Sequence, residues 1–177
     1  MMRNPGNAVK SFGMMLFIAA AFMMGAAGCQ SLMALPGNGM VDEDYWVPLR
    51  AGGRQAGVWD GMYVEIRYDY VRDGGRLSLK GEVRYASRIL DNYSLIQFFH
   101  LDVLFLDPQG KVLETQPFAS DAYDTLLPGA LEPTVPFNRD VILPANTAAM
   151  AFSYKGQAIA SGEGTGSPRY FWEFPVH

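Results

Sequence analysis

Few residues in this chain could carry chemistry. Cys29 is its single thiol, so an internal disulfide is excluded and the sulfur is left for covalent attachment. His100 and His177 are the two imidazoles, one inside an apolar run and the other the last residue, with no second ligand at metal spacing. His100 therefore reads as a strand histidine rather than a zinc ligand. No serine lies in a Gly-x-Ser-x-Gly elbow, and no His/Asp partners outline a triad. Asp121 and Asp124 sit in the longest irregular stretch, residues 119–133. Together they could bind calcium or act as the acid pair of a hydrolase; turn capping and solvation are the plain alternatives. Residues 162–166 are glycine-rich but lack a lysine and a following helix, so they read as a flexible hairpin loop. No cofactor or metal is expected, and a non-enzymatic role is the leading reading.

Aromatic side chains form the second set. Tyr45, Trp46, Trp59, Tyr63, Tyr170, Phe171 and Trp172 gather near the two ends of the region after residue 44. They could form a platform for a sugar, peptide or partner protein, in which case Trp46, Trp59 and Trp172 are the candidate binding rings. The alternative, favoured by packing, buries them in a core between the first and last strands.

The start of the chain bears on location. Arg3 and Lys10 precede an apolar run over residues 14–28, which ends in Ala26-Ala27-Gly28 directly before Cys29. A basic segment, a short apolar stretch and small residues at a junction describe a secretory signal. The run is shorter than the roughly 20 residues that span a bilayer core. The junction resembles the lipobox of bacterial lipoproteins. That resemblance implies cleavage before Cys29, a diacylglycerol on its sulfur and an acyl chain such as palmitate on its new amine. Cleavage by an ordinary signal peptidase and an uncleaved anchor helix are the alternatives. By resemblance to lipoprotein sorting rules, Gln30 after the cysteine implies the periplasmic side of an outer membrane.

Without residues 1–28, 149 residues remain, carrying 12 Lys+Arg against 18 Asp+Glu. That length suits one domain with a real core. The acidic balance argues against nucleic acid and against broad docking onto anionic lipid. Residues 29–44 read as a lipidated tether, broken by Pro36, Gly37 and Gly39 and solvated by Asp42, Glu43 and Asp44. Residues 45–177 read as strands. Met62, Val64, Ile66, Tyr68 and Tyr70 alternate with polar positions, as do Leu77, Leu79, Gly81, Val83 and Tyr85. Arg72-Asp73-Gly74-Gly75 joins the two runs as a hairpin. Phe99, Leu101, Val103 and Phe105 mark a central strand over 95–106, followed by a turn at Asp107-Pro108-Gln109-Gly110 and a strand over 111–117. Further strands fall at 135–143, 148–159 and 169–174, with a helical turn expected over 122–126. About seven strands without helical periodicity make an all-β, antiparallel β-sandwich.

Leu79-Lys80-Gly81-Glu82-Val83, Val103-Leu104-Phe105-Leu106-Asp107 with Gly110-Lys111-Val112-Leu113, and Leu127-Pro128-Gly129 before Phe137 resemble the FxLYD-type domains of bacterial envelope proteins. Val103 stands where that family has its naming phenylalanine and Leu106 where it has tyrosine. The resemblance covers 77–154 and implies an immunoglobulin-like fold that binds or assembles without chemistry of its own. The expectation is an envelope interaction or assembly module, lipid-anchored through Cys29, with an unidentified protein partner and no nucleic acid. A carbohydrate- or peptidoglycan-binding module using surface aromatics is the alternative.

Overall fold

The computed structural model describes residues 39–121, 125–126, 134–160 and 168–177. Ten strands run through them: β1 (Val47–Pro48), β2 (Arg54–Asp60), β3 (Val64–Asp73), β4 (Arg76–Tyr85), β5 (Tyr93–Leu106), β6 (Val112–Asp121), β7 (Thr125–Leu126), β8 (Thr134–Ile142), β9 (Ala149–Ala160) and β10 (Pro168–Glu173). A 3-10 turn covers Glu43–Tyr45, and one helical turn, α1 (Ser87–Leu90), links β4 to β5.

The strands form two antiparallel sheets. One has the order β2-β3-β4-β8; the other runs β1-β9-β5-β6, with β10 also beside β9 and β7 beside β5. The chain crosses between sheets from β4 to β5, back at β8 and again at β9. This puts β10-β9-β5-β6 against β3-β4-β8, the Greek-key arrangement of an immunoglobulin-like sandwich. The fold expected from alternation is therefore the fold observed.

Inward positions match the apolar phase. Ile66, Leu79, Val83, Phe99, Leu101, Val103, Phe105, Phe152 and Tyr154 are buried between the sheets. Aromatic rings order this core: Phe99 stacks on Tyr154 at 6.0 Å and on Phe171 at 6.4 Å. At Gly156 a Cβ would collide with the Phe171 ring, so the glycine makes room for that aromatic.

Three strands go beyond the expected seven. β1 and β7 have two residues each, too short to show a period. β2 hides its alternation because an inward position is Gly57, where the Tyr68 ring from β3 occupies the space a side chain would fill. The helical turn expected over 122–126 is corrected at its end: Thr125 and Leu126 pair with Ile96 and Leu95 as strand. Met62, assigned to the buried phase, precedes β3 and is exposed.

Residues 39–41, assigned to the tether from composition, are bonded into the folded body. Val41 N donates to Gly110 O at 2.9 Å, Val112 N to Gly39 O at 3.0 Å and His177 N to Met40 O at 2.9 Å. Val41 then joins a second small core with Leu104, Leu106, Val112, Ala149 and Ala151 on the outer side of the β5–β9 sheet. Asp42, Glu43 and Asp44 are exposed, as their charge requires.

Candidate interaction surface

The three candidate tryptophans do not come together. Trp59, at the inward end of β2, is 7% exposed and packs edge-on against Phe152 and Tyr154 at 5.8 and 6.2 Å. It is a core ring, which corrects its assignment as a binding residue. Trp46 is half-buried over Gly110, and its Nε1 donates to Val41 O at 3.0 Å. Its indole closes the second core. Only Trp172, 55% exposed on β10, is presented outward.

The pleat explains the division. Along β10, Phe171 points inward and is buried, so Tyr170 and Trp172 must point outward. Register places Trp172 beside Lys155 and Tyr170 beside Gln157 on β9, with His100 and Phe98 next in line on β5. Phe98 lies 6.4 Å from the Tyr170 ring and 5.5 Å from His100. Asp102 follows two residues along the same face of β5. The upper half of this outer face thus carries Tyr170, Trp172 and Phe98 around His100, Asp102 and Lys155. Its lower half is closed by the second core.

A polar pin holds β10 in place. The Glu173 carboxylate accepts from the Tyr154 hydroxyl and from Met62 N, both at 2.8 Å, while the Tyr154 oxygen accepts from Tyr63 N at 3.0 Å. Burial, reinforced by the hydrogen bond to Glu173, pushes the Tyr154 hydroxyl far up, so it remains a donor. The strand bearing Tyr170 and Trp172 is thereby tied to the β2–β3 connection across the sandwich.

The charged groups on this face are partly withdrawn from water. Burial lowers the His100 pKa, Lys155 lowers it further and Asp102 opposes both. Burial raises the Asp102 pKa, with Lys155 and His100 opposing. A carboxylate and an ammonium flanked by flat apolar rings can orient a polar ligand while the rings supply contact area. Sequence reading singled out Tyr170 and Trp172 but not Phe98, Asp102 or Lys155. The signal available was parity: even-numbered residues of β5 and β10 share this face.

Cys29, Asp124 and residues 162–166 lie outside the described residues, and so does the approach of Asp121 to Asp124. Among the described residues, no group of three or more His, Cys, Asp or Glu side chains is placed to hold a metal ion, and no helix is long and apolar enough to cross a membrane. No family model matches the chain, and neither a curated protein nor a solved structure does.

Proposed function

We propose that this protein is a lipid-anchored envelope component that works as a non-enzymatic interaction or assembly module. Its anchor is acylated Cys29, and its lipobox-like junction and Gln30 support the periplasmic side of an outer membrane. The partner is a protein of the envelope, and the binding face is the aromatic half of the β10-β9-β5 sheet. The observation that carries this reading is the exposure of Tyr170 (63%) and Trp172 (55%) on a strand otherwise pinned to the core. Large exposed aromatics on a rigid support are costly to leave in water and are enriched where partners dock. The FxLYD-like segments support the same class of role.

Photo-crosslinking tests it. A crosslinking amino acid replacing Trp172 in whole cells should capture a discrete protein, and one replacing Glu65 on the opposite outer face should not. Equal or absent capture at both positions would refute the binding face. Palmitate labelling of the wild-type chain and its loss in Cys29→Ser tests the anchor separately.

A second reading is favoured by the side-by-side placement of Tyr170 and Trp172 with Asp102 and Lys155, a set suited to the faces and hydroxyls of a sugar. A carbohydrate- or peptidoglycan-binding module would show saturable changes in tryptophan emission with glycan fragments, abolished by Trp172→Ala.

A further inference from the structure

The sandwich has a charge and apolar polarity along its length that the overall acidity conceals. One pole is formed where β1 ends, β5 turns into β6 and β9 begins, with the β3–β4 hairpin and the β8–β9 connection beside them. Hydrogen bonds tie these pieces together: the Arg72 guanidinium donates to Leu49 O at 2.8 Å and to Thr147 O at 3.1 Å, and Leu143 N donates to Gly75 O at 2.8 Å. The segments 39–41, 49–54, 71–76, 106–113 and 142–148 make up this pole. They carry five cations, Arg50, Arg54, Arg72, Arg76 and Lys111, against two acids, Asp73 and Asp107; Arg54 is neutralised by Asp69 just outside them, and Asp42 follows directly on Val41 and faces His177. The rest of the chain beyond Lys10 carries seven cations against sixteen acids. Asp107 is turned inward on its own loop, its Oδ1 accepting from Gln109 N and Lys111 N at 2.8 and 2.9 Å. Arg50, Arg76 and Lys111 are exposed, and among the described residues none of the three is ion-paired.

Apolar side chains sit among these cations. Ile142, 71% exposed, is the cross-strand partner of Arg76, and Met40, Val71 and Leu113 are exposed on the same pole. Met40 is paired with Lys111. Beside the turn glycines 52, 53, 74 and 75 no other group lies within 4 Å of where a Cβ would stand, so these turns face open space.

This is also the pole at which the chain enters the folded body. Nine residues, 30–38, separate Cys29 from Gly39, a reach of roughly 30 Å even when fully extended. Gly39 is bonded to Val112 at this pole. A 14-residue strand such as β5 is itself about 45 Å long, so the opposite pole lies beyond that reach when the body stands end-on.

We propose that this pole is a bilayer-docking face, an inference that rests on the lipid anchor of the preceding reading. Arg50, Arg76 and Lys111 meet anionic phosphate headgroups, and Ile142, Met40 and Leu113 enter the interface. The anchor holds the pole at high local concentration near the membrane, so individually weak contacts suffice. The body then stands upright, and the Tyr170–Trp172 face is carried clear of the lipid.

The test uses the full-length protein purified from membranes and reconstituted into vesicles. A fluorophore is placed at Ile142→Cys or, as the opposite-pole control, at Met62→Cys, and quenched by a nitroxide on the lipid headgroup. In vesicles containing phosphatidylglycerol, quenching at position 142 should exceed that at 62 by about threefold or more. The excess should shrink in phosphatidylcholine alone, in high salt and in an Arg50→Glu, Arg76→Glu, Lys111→Glu variant. Equal quenching at the two positions, or an excess indifferent to lipid charge and salt, would overturn the proposal without requiring the triple variant to fold. Intact mass separates the two readings. An acylated chain with equal quenching refutes docking alone. A wild-type chain whose intact mass shows no acyl groups refutes the anchor, and a charge-dependent excess that persists in a Cys29→Ser background leaves docking standing without it.

Discussion

The outer faces of the two sheets have the same pleat and opposite chemistry. On the β2-β3-β4-β8 sheet the middle of the outer face is a ladder of ion pairs: Arg54 bonds Asp69 through both oxygens at 2.9 and 2.8 Å, and Lys80 reaches Asp69 at 3.8 Å. Arg67 pairs with Glu65 and Arg84 with Glu82 along the same strands. Away from Val58 and from Arg76 and Ile142 at the docking pole, that face neutralises its own charges. On the β10-β9-β5 sheet the lower half is closed by the second core, and the upper half shows exposed rings beside the partly buried His100, Asp102 and Lys155. A face that neutralises its own charges gains little from a partner; a face with exposed rings and half-desolvated charges gains contact area and hydrogen bonds from one.

The largest expected effect separates the two tryptophans. Trp59→Ala should destabilise the fold by about 3–5 kcal/mol, read as a lower midpoint in urea unfolding. Trp172→Ala should stay within about 0.5 kcal/mol of wild type while abolishing capture of the partner. A comparable loss of stability in both would mean that the β10 rings are structural and would erase the contrast. Of intermediate size is the ladder on the self-neutralised face. A double-mutant cycle with Arg54→Ala and Asp69→Ala should return only a small coupling, decreasing in salt, because Arg54 is exposed and solvent screens the pair. A much larger coupling would make that face an organised site as well.

The smallest effect concerns pH. Asp102 has its folded-state pKa raised by burial, so its ionised form costs stability above the ordinary carboxylate range, and that cost disappears as pH falls through the raised value. Asp102→Asn should therefore melt slightly higher than wild type at neutral pH, with the gap narrowing on acidification. His100 acts in the opposite direction. Its folded-state pKa is lowered, so wild-type stability falls as pH drops below the ordinary histidine value. Melting both proteins in a His100→Gln background from neutral to acidic pH isolates the carboxylate. A gap that widens toward acid would reverse the assigned sign.

Much of the fold was legible because a half-buried strand must alternate. The runs beginning at Val64, Leu77 and Phe99 show this alternation plainly, and Gly74, at φ 56°, turns the hairpin where the sequence places it. β2 was not legible, since Gly57 makes room for a ring that arrives from β3. The site was only half legible. Tyr170 and Trp172 are conspicuous by type, but Phe98, Asp102 and Lys155 become their neighbours only through the registers of β5, β9 and β10.

Local pattern determined the strands, their inward phase, the tight turns and the lipobox-like junction at Cys29, because each is written within a few neighbouring residues. Only the tertiary structure decided which tryptophan is core and which is surface, and that residues 39–41 belong to the folded body. It also brought five of the cations of an acidic chain to one pole. These depend on contacts between segments far apart in sequence, such as Met62 with Glu173 and Met40 with His177. Burial and charge are properties of what surrounds a side chain, and sequence neighbours supply only a small part of those surroundings.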